Sequence, residues 1–259
     1  MKLSVILITK NESNNILECL NSVKFADEWI IVDSGSNDDT VAKARSFGAT
    51  VIEMDWPGFG PQKNRALDTA TGDWILSIDA DERVTPELAD EILHTIHSPD
   101  PVDAYDILRK GWYCGKFMNH GDWSNDYVTR LFRQGKARFT DDKVHEKLVV
   151  SGTTQRLRSS MLHYSFLNFS QVLQKIDSYS DLSARQKYQQ GKKASVGTAF
   201  GHGIWAFIRS YIIKGGFLDG SQGLALAISN AEGSYYRYLK IWLMQEEAKK
   251  RHHREQVDQ

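Results

Sequence analysis

One apolar segment that ends in paired carboxylates constrains the fold of this chain more than any other stretch. Residues 73–84 read D-W-I-L-S-I-D-A-D-E-R-V, and residues 74–78 are an almost unbroken apolar run. Such a run is typical of a strand buried on both faces of a parallel sheet. Asp79 and Asp81 follow it, at the strand end where open α/β sheets bind ligands. Their oxygens suit Mg²⁺ or Mn²⁺ with a bound diphosphate, whereas the plainer interpretation is a solvated turn.

The segments around this strand alternate between strand and helix patterns. We expect strands at residues 3–8, 29–32 and 50–54, and helices at 14–23, 40–47 and 61–70. A further helix should begin after Thr85, with Pro86 at its first position, and run to about His97. This alternation predicts a parallel sheet with right-handed crossovers. No G-x-G-x-x-G follows the first strand and no G-x-x-x-x-G-K-[ST] occurs, which argues against dinucleotide-binding and P-loop enzymes.

Composition and charge narrow the class of protein. Apolar residues make up 41% and charged residues 25% of the 259 positions, as in globular domains. Cys19 and Cys114 match no metal or redox spacing and indicate a reducing compartment. The N-terminal apolar run is too short for a signal peptide, and no apolar stretch reaches the length of about 18 residues that a spanning helix needs. Residues 183–259 carry 12 Lys and Arg against 6 Asp and Glu, which predicts an anionic partner or, equally, an ordinary basic helical face.

Four motifs together carry a resemblance to a known family. They are L-S-V-I-L-I-T-K-N-E at residues 3–12, V-D-S-G-S-N-D-D-T at 32–40, Q-K-N-R-A at 62–66 and D-A-D at 79–81. In this order and spacing they resemble the family 2 glycosyltransferases. The resemblance implies the GT-A fold, an α/β fold with a nucleotide-binding mixed sheet flanked by helices, here with a helical C-terminal extension. It also implies an inverting transfer from a nucleotide sugar with Mg²⁺ or Mn²⁺ as cofactor.

Shorter motifs later in the chain resemble one branch of that family. They are R-L-F-R at residues 130–133, V-H-E at 144–146, L-H-Y at 162–164 and G-F-L-D-G at 216–220. The branch contains lipopolysaccharide core glycosyltransferases, especially β-1,4-glucosyltransferases that act on inner-core heptose. It implies transfer of a hexose, glucose from UDP-glucose, to a lipid-linked oligosaccharide. The protein would then be cytoplasmic and peripheral on the anionic surface of the inner membrane, with no nucleic acid among its partners.

The resemblance also implies roles for polar residues near the predicted strand ends. Nucleotide-sugar binding falls to Thr9, Asn11, Glu12, Asp33, Lys63, Arg65 and Asp79, and metal binding to Asp81, Asp79 and His163. Asp33 would accept a hydrogen bond from the base or, in the plainer interpretation, cap its own turn. Lys63 and Arg65 would contact the nucleotide or its phosphates, unless they lie on a surface helix face. His163 is either a metal ligand or a structural histidine.

The acceptor side of the reaction needs a base. An inverting transfer requires a carboxylate that takes the proton of the acceptor hydroxyl as its oxygen attacks the anomeric carbon. Glu146 is the candidate base, with Asp122 and Asp126 in reserve. Acceptor binding is assigned to Trp123, Asp122 and Arg130, within an aromatic and glycine-rich segment. Exposed aromatic rings stack on sugar faces, but the same rings could belong to the core.

Two regions are expected along the chain. Residues 1–165 should form the GT-A domain, with 1–98 as its nucleotide-sugar half and 99–165 as its acceptor half. Residues 166–259 have a helical pattern, and a basic tail at 249–254 is expected to be disordered. Between Ile204 and Ile212 the apolar residues form an amphipathic stripe with aromatic members and basic flanks. This stripe predicts either a membrane-surface helix or one that packs on the catalytic domain.

Two alternatives compete with a glycosyltransferase. A Mg²⁺-dependent phosphatase of the haloacid dehalogenase type needs D-x-D-x-[TV] on its first strand. Here the D-x-D follows a later strand and Arg83 occupies the fifth place, so this alternative is disfavoured. A non-catalytic module that uses the fold to bind lipid or a partner would not need the acidic and basic residues that this chain retains.

Overall fold

A computed structural model describes residues 1–141 and 146–257. The chain divides into two compact units. The first consists of residues 1–110 and 125–164, and the second of residues 111–124 and the chain from residue 165.

The first unit is built on a mixed β-sheet. Its parallel part contains β1 (Leu3–Thr9), β2 (Glu28–Asp33), β3 (Thr50–Glu53) and β4 (Trp74–Ser77), in the spatial order β3-β2-β1-β4. The sheet continues through β8 (Tyr127–Arg133), β6 (Ala104–Tyr113), β11 (Thr154–Phe166) and β5 (Glu82–Val84). Strand β8 runs antiparallel to β4 and β6, and β5 runs antiparallel to β11. The short strands β9 (Ala137–Phe139) and β10 (Leu148–Val150) pair separately. The predicted α/β fold with a mixed sheet is confirmed.

The helices of the first unit lie where they were predicted. They are α1 (Ile16–Ser22), α2 (Thr40–Phe47), α3 (Phe59–Thr69) and α4 (Pro86–Ile96). The bounds of α2 and α4 are close to the predicted ones, and those of α1 and α3 are shifted by one or two residues. At the start of α4 the Thr85 hydroxyl accepts a hydrogen bond from the Leu88 amide at 3.2 Å. Gly48 ends α2 with φ of +103°, a left-handed conformation that glycine adopts without strain.

Burial of β4 explains its unbroken apolar sequence. Trp74, Ile75 and Leu76 are all fully buried. Trp74 and Leu76 pack in the same apolar cluster as residues of α1 and α4, whereas Ile75 packs in another cluster with α3 and β8. Because both faces are covered, the strand has no position that solvent would keep polar.

Strand β5 was not predicted from the sequence. Its residues Glu82, Arg83 and Val84 are all buried, although two of them are charged. Charged residues are almost never fully buried unless they are paired. The pairing of Glu82, described below, accounts for this strand.

The second unit is largely helical. It contains β7 (Lys116–Phe117), a 3₁₀ turn (Gly121–Trp123), α5 (Phe169–Gln189), α6 (Val196–Phe207), a π-helical segment (Ile208–Ile213), a second 3₁₀ turn (Gly216–Asp219) and α7 (Gly220–Val257). Helices α6 and α7 approach closely at Gly203, where a Cβ atom would lie 3.2 Å from the Cβ of Tyr235. Helix α7 continues through the basic tail, which corrects the prediction of disorder there. Its Lys, Arg and Glu residues are good helix formers and extend a helix that is already anchored by packing.

None of the helices in the described part of the chain combines the length and the apolar character needed to cross a bilayer.

Candidate active site

The carboxyl ends of β1 and β2 lie side by side, with Thr9 paired to Asp33. The Thr9 hydroxyl donates to Asp33 Oδ2 at 2.8 Å, and the Ser36 hydroxyl donates to the same oxygen at 2.6 Å. Asp33 Oδ1 accepts the amides of Gly35 and Ser36 at 3.0 and 2.7 Å. A carboxylate offers about four acceptor positions, so these bonds fill Asp33. The geometry is that of a turn cap, and a nucleotide base could bond Asp33 only in exchange for one of its present donors.

The loop after β1 is tied to the loop after β2. Asn11 adopts φ of +57°, a conformation that asparagine tolerates, and its side-chain oxygen accepts the Asn37 amide at 2.9 Å. The Glu12 amide donates to the Thr40 hydroxyl at 2.8 Å. Burial raises the pKa of Glu12, and the carboxylate of Asp81 adds to that rise. Glu12 is therefore within electrostatic reach of the D-A-D motif.

Three of the four residues of the Q-K-N-R motif, which lies in helix α3, are buried. Gln62, Lys63 and Asn64 are buried, whereas Arg65 is engaged elsewhere, in an ion pair with the exposed Asp55 at 2.9 Å. Asn64 exchanges two hydrogen bonds with the backbone of Phe139, at 2.9 and 3.0 Å, which fixes the inner face of the helix. Lys63 is thus held at the interior side and is not on a surface face.

Lys63 joins two of the predicted site residues. Its ammonium lies 3.3 Å from Asp79 Oδ1 and 2.9 Å from Glu146 Oε1. The structure therefore places the first carboxylate of D-A-D and the candidate base on the same buried cation. The two preceding residues of the V-H-E motif, Val144 and His145, lie outside the described residues.

Asp79 also belongs to a longer series of ion pairs, which we name the charge chain. Its members alternate in sign, in the order Glu146, Lys63, Asp79, Arg130, Glu82, Arg109 and Asp126. The Arg130 guanidinium bonds both Asp79 and Glu82, the latter at 2.6 Å. Arg109 lies 3.2 Å from Glu82 and 2.8 Å from Asp126. Helix α3, the end of β4, and strands β5, β6 and β8 are thereby linked through charged side chains.

The charge chain fixes the ionisation of Asp79. Burial alone would raise the pKa of this carboxyl, but Arg130 and then Lys63 outweigh that effect and hold the pKa well below its usual range. Burial would likewise lower the pKa of Arg130, but Asp79 and Glu82 raise it above its ordinary value. Asp79 is therefore an anion with a set orientation. The Glu82 carboxylate also accepts the Asp79 amide at 2.9 Å and so shapes the turn between them.

Asp81 and His163 form a separate pair beside the charge chain. Strand β11 brings His163 opposite Glu82 of β5, and His163 Nε2 lies 3.2 Å from Asp81 Oδ2. Two neighbouring ligands of an octahedral cation, with bonds of about 2.1 Å, would be separated by about 3.0 Å. The two atoms are hydrogen-bonded to each other in this structure, and their spacing also fits two neighbouring ligands of Mg²⁺ or Mn²⁺.

A cation at this pair would need further ligands from outside the protein. Asp79, also predicted as a ligand, directs its two oxygens to Lys63 and Arg130. Among residues 1–141 and 146–257, no group of three or more His, Cys, Asp or Glu could hold a metal. Mg²⁺ is commonly bound by one or two protein carboxylates together with waters and substrate phosphates. Asp81 and His163 would be the protein ligands in a site of that kind.

Arg130 and Asp126 lie inside and at the end of the charge chain. Arg130 was predicted to bind the acceptor, but its side chain is 7% exposed and both its partners are protein carboxylates. This placement suits a residue that orients Asp79. Asp126, a reserve base, is 42% exposed and paired with Arg109.

The other two predicted acceptor residues belong to the second unit. The Asp122 carboxylate pairs with Arg209 at 2.8 Å and with Lys214 at 3.0 Å. The Trp123 ring stacks on Phe166 with ring centroids 5.8 Å apart, so the indole is partly core, as the plainer interpretation held. Asp122 and Trp123 thus find their partners within the second unit.

The sequence analysis did not identify Glu82 and Arg109 as residues of the site. Glu82 is fully buried and bridges two arginines, yet in the sequence it is only the third acidic residue of D-A-D-E. Arg109 lies within strand β6. One sequence signal was available, namely that charged residues occur within or next to strand-like segments. A charged residue in a buried strand needs an ion-pair partner, but a single sequence does not show which residue that partner is.

Comparison with known proteins adds an independent result. The sequence model described as glycosyl transferase family 2 matches residues 4–162. The chain belongs to glycosyl transferase family 2. The predicted family is thereby confirmed, and this family 2 protein is a glycosyltransferase and not a phosphatase.

Relatives of this glycosyltransferase extend over nearly its whole length. An uncharacterized glycosyltransferase of Rickettsia prowazekii is 34% identical over 252 residues, which cover 93% of this chain and 86% of the relative. The lipopolysaccharide core biosynthesis glycosyltransferase LpsC of Rhizobium meliloti is 28% identical over 253 residues, which cover 93% and 92%.

Solved structures show more distant similarity. TarS of S. aureus has a TM-score of 0.46 at 20% identity, over 71% of this chain and 64% of that one. Glucosyl-3-phosphoglycerate synthase of Mycobacterium tuberculosis, solved with Mn²⁺, UDP and glucosyl-3-phosphoglycerate, has a TM-score of 0.36 at 27% identity. This chain spans 44% of the length of the mycobacterial synthase chain.

Proposed function

We propose that this glycosyltransferase moves a hexose, glucose from UDP-glucose, onto a lipid-linked oligosaccharide such as lipopolysaccharide inner-core heptose, with inversion. The observation that carries the proposal is the Lys63 ammonium, which holds the Glu146 carboxylate and the Asp79 carboxylate together. The choice of acceptor is supported by the similarity to a lipopolysaccharide core glycosyltransferase over 93% of the chain.

In the proposed reaction Glu146 is the general base. Its carboxylate accepts the proton of an acceptor hydroxyl while that oxygen forms a bond to the anomeric carbon. The bond from the anomeric carbon to the diphosphate oxygen breaks, and UDP leaves with the electron pair. Removal of a positioned general base typically reduces turnover by about 10²–10⁴-fold. Lys63 fixes the orientation of Glu146 through the contact at 2.9 Å.

The remaining residues of the site bind and orient. Arg130 and Glu82 hold Asp79 in one position, where its fixed negative charge can orient the donor. Asp81 and His163 would hold Mg²⁺ or Mn²⁺, which supplies positive charge to the leaving diphosphate. Thr9, Asn11 and Glu12 line the neighbouring loops and would border the nucleoside.

A transfer assay tests this proposal. The protein is incubated with a panel of UDP-sugars and core-truncated lipopolysaccharide, with and without Mn²⁺, and the products are weighed by mass spectrometry. We expect one added hexose with UDP-glucose and metal, and none with Asp81→Ala. The exposed Glu53→Gln variant serves as control and should match the wild type. If no metal-dependent transfer or hydrolysis occurs with any UDP-sugar, the proposal fails in favour of a non-catalytic module.

A lipid-linked acceptor places the enzyme at the anionic surface of the inner membrane. In the second unit, several large apolar side chains are exposed within a short stretch: Phe200, Ile204, Trp205, Ile212, Ile213, Phe217 and Leu218. Exposed apolar patches mark interaction surfaces, and aromatic residues beside basic ones suit lipid headgroups. The surplus of Lys and Arg in residues 183–259 adds attraction that salt screens.

Vesicle co-sedimentation tests the membrane part separately. We expect the wild type to pellet with phosphatidylglycerol vesicles at low salt and to be partly released at high salt. Phe200→Glu with Ile213→Glu should release it, because both side chains are more than 60% exposed in this stretch. Leu17→Glu with Val149→Glu, exposed apolar positions of the first unit, is the matched control. A wild type that stays in the supernatant would overturn the peripheral assignment.

A further inference from the structure

The second unit contains a cleft of its own. It has a volume of about 600 Å³, within the range of small-molecule sites, and is lined by parts of α5, α6 and α7 and of the segment 111–124. All of its lining residues belong to the second unit. The cleft therefore lies entirely within one compact unit of the molecule.

The charges that line this cleft are unevenly matched. Lys175, Arg209 and Arg237 are the cations, and Asp122 is the one carboxylate among its lining residues, all of which are described. Asp122 is neutralised by Arg209 at 2.8 Å and by Lys214 at 3.0 Å. Lys175 and Arg237 thus leave a positive excess that no lining acid offsets.

Arg237 is the side chain that points most strongly to a ligand. Its Nε atom is enclosed and has no hydrogen-bond partner in the described part of the protein. A guanidinium offers donors in a planar fork that matches phosphate and carboxylate groups. The Nε atoms of Arg83 and Arg130 also lack partners, but the terminal nitrogens of those two arginines bond protein oxygens. No hydrogen bond or ion pair of Arg237 is found among the described residues, so its guanidinium is available to an anion from outside the chain.

Aromatic side chains complete the lining. Trp205 is 54% exposed and borders the cleft, so its side chain is accessible to a ligand. His202 stacks on Tyr238 with ring centroids 3.8 Å apart, which provides a second flat wall. Burial lowers the pKa of His202, and the charges of Lys192 and Arg237 lower it further, so this wall is an uncharged ring at neutral pH. Flat rings of this kind pack against the C–H faces of sugars.

We propose that this cleft binds an anionic saccharide, with the Trp205 ring against the sugar and the Arg237 guanidinium on its phosphate or carboxylate group. Lys175 contributes a second positive charge at the cleft. The assignment rests on the proposed function in one respect, since the saccharide would be the acceptor. It gives that acceptor a chemical property, a fixed negative charge, which the residues around Glu146 do not specify.

Binding of simple probes to the full chain tests the cleft. Glucose 6-phosphate and uncharged glucose are titrated separately, with saturating UDP and Mn²⁺ present to occupy the donor site, and Trp fluorescence and calorimetry are recorded. We expect glucose 6-phosphate to bind and glucose to bind far more weakly. Arg237→Gln should weaken glucose 6-phosphate binding by roughly 10- to 100-fold, the range for one charge-assisted contact. Lys249→Gln, which removes a positive charge from an exposed position of the same helix, should leave binding unchanged.

Two further arms separate the alternatives. Trp205→Ala should also weaken glucose 6-phosphate binding, and Arg237→Lys should restore part of it. Equal affinity for glucose and glucose 6-phosphate, or an Arg237→Gln variant with wild-type affinity, would overturn the proposal. If Arg237→Gln weakens binding to phosphatidylglycerol vesicles while glucose 6-phosphate does not bind the wild type, the site takes a lipid headgroup and the saccharide assignment is wrong. Binding of glucose 6-phosphate requires no turnover, so failure of the cleft and failure of the catalytic proposal give different results.

Discussion

The two units differ in whether their positively charged side chains are paired. In the first unit Arg130 and Lys63 each contact two carboxylates, and the charge chain continues to Asp126 without an unpaired member. In the second unit Arg237 lines a cleft, and no ion pair or hydrogen bond of its guanidinium is found in the described part of the chain. Paired charges hold side chains in place before a substrate arrives, whereas an unpaired charge retains its capacity to bind one. This difference is what the two proposals require, a preorganised catalytic cluster in the first unit and a ligand-binding cleft in the second.

Removal of Arg130 should produce the largest loss of stability. Its side chain is 7% exposed and bonds Asp79 and Glu82, so Arg130→Met leaves two carboxylates without their shared cation. Breaking a buried pair in this way costs about 3–5 kcal/mol. We expect that decrease in the free energy of unfolding, measured by urea denaturation at pH 7.

Two matched variants sharpen this result. Arg138→Met removes an exposed arginine whose partner Asp68 is also exposed, and should cost no more than about 1 kcal/mol. Arg130→Met combined with Glu82→Gln should recover part of the loss, because one of the stranded charges is gone. Strictly additive losses in the double variant would show that the charge chain is not a coupled unit.

The contribution of the Glu28 carboxylate in the first unit can be tested through the pH dependence of the free energy of unfolding. Burial would raise its pKa, but hydrogen bonds from Ser4, Lys2 and Thr71 lower it from 4.5 to about 2. A carboxyl whose pKa is depressed in the folded state stabilises the protein above its unfolded pKa, and this stability disappears as pH falls through the folded pKa. Glu28→Gln should therefore lose up to roughly 3 kcal/mol at pH 7. The unfolding free energies of the two proteins should converge near pH 2. A difference that stays constant with pH would contradict the assignment.

Substitution of Arg237 should have the smallest effect on the free energy of unfolding. Because no ion pair or hydrogen bond of this side chain is found in the described part of the chain, Arg237→Gln should change the unfolding free energy by less than about 0.5 kcal/mol. Thermal and urea denaturation of the variant without ligand measure this directly. A loss above about 2 kcal/mol would show that Arg237 has a structural role and would remove the contrast with Arg130.

The parts of the fold that the sequence predicted are those set by local pattern. The parallel half of the sheet, the start of α4 at Thr85 and the strand before D-A-D follow from apolar periodicity and capping residues, and the structure has all of them. Strand β5 and the length of β11 could not be predicted from apolar periodicity or capping residues. Their charged and polar residues are stabilised in the sheet by partners that are distant in sequence. Glu82, for example, reads as a solvated residue until Arg109 and Arg130 are placed beside it.

The candidate site was predictable to a similar extent. The clustering of Lys63 and Asp79 follows from strand ends and helix starts that share one edge of the sheet, and the contact of Lys63 with Glu146 required the fold. Arg65 and Arg130 have the residue types expected for ligand binding, yet one faces Asp55 and the other is buried among carboxylates. Residue type suggests what a side chain can bind, and only the neighbours decide whether it is free to do so.

The most direct test of the central claim is the turnover of Glu146→Gln in the UDP-sugar transfer assay. The substitution keeps the size of the side chain and its contact with Lys63 but removes the proton acceptor. We expect turnover to fall by about 10²–10⁴-fold while the dissociation constant for the UDP-sugar stays unchanged. Asp126→Asn and Asp122→Asn, whose carboxylates are paired with arginines, should retain most activity. Near-wild-type turnover in Glu146→Gln, or the large loss in Asp126→Asn or Asp122→Asn instead, would contradict the assignment of Glu146 as the base.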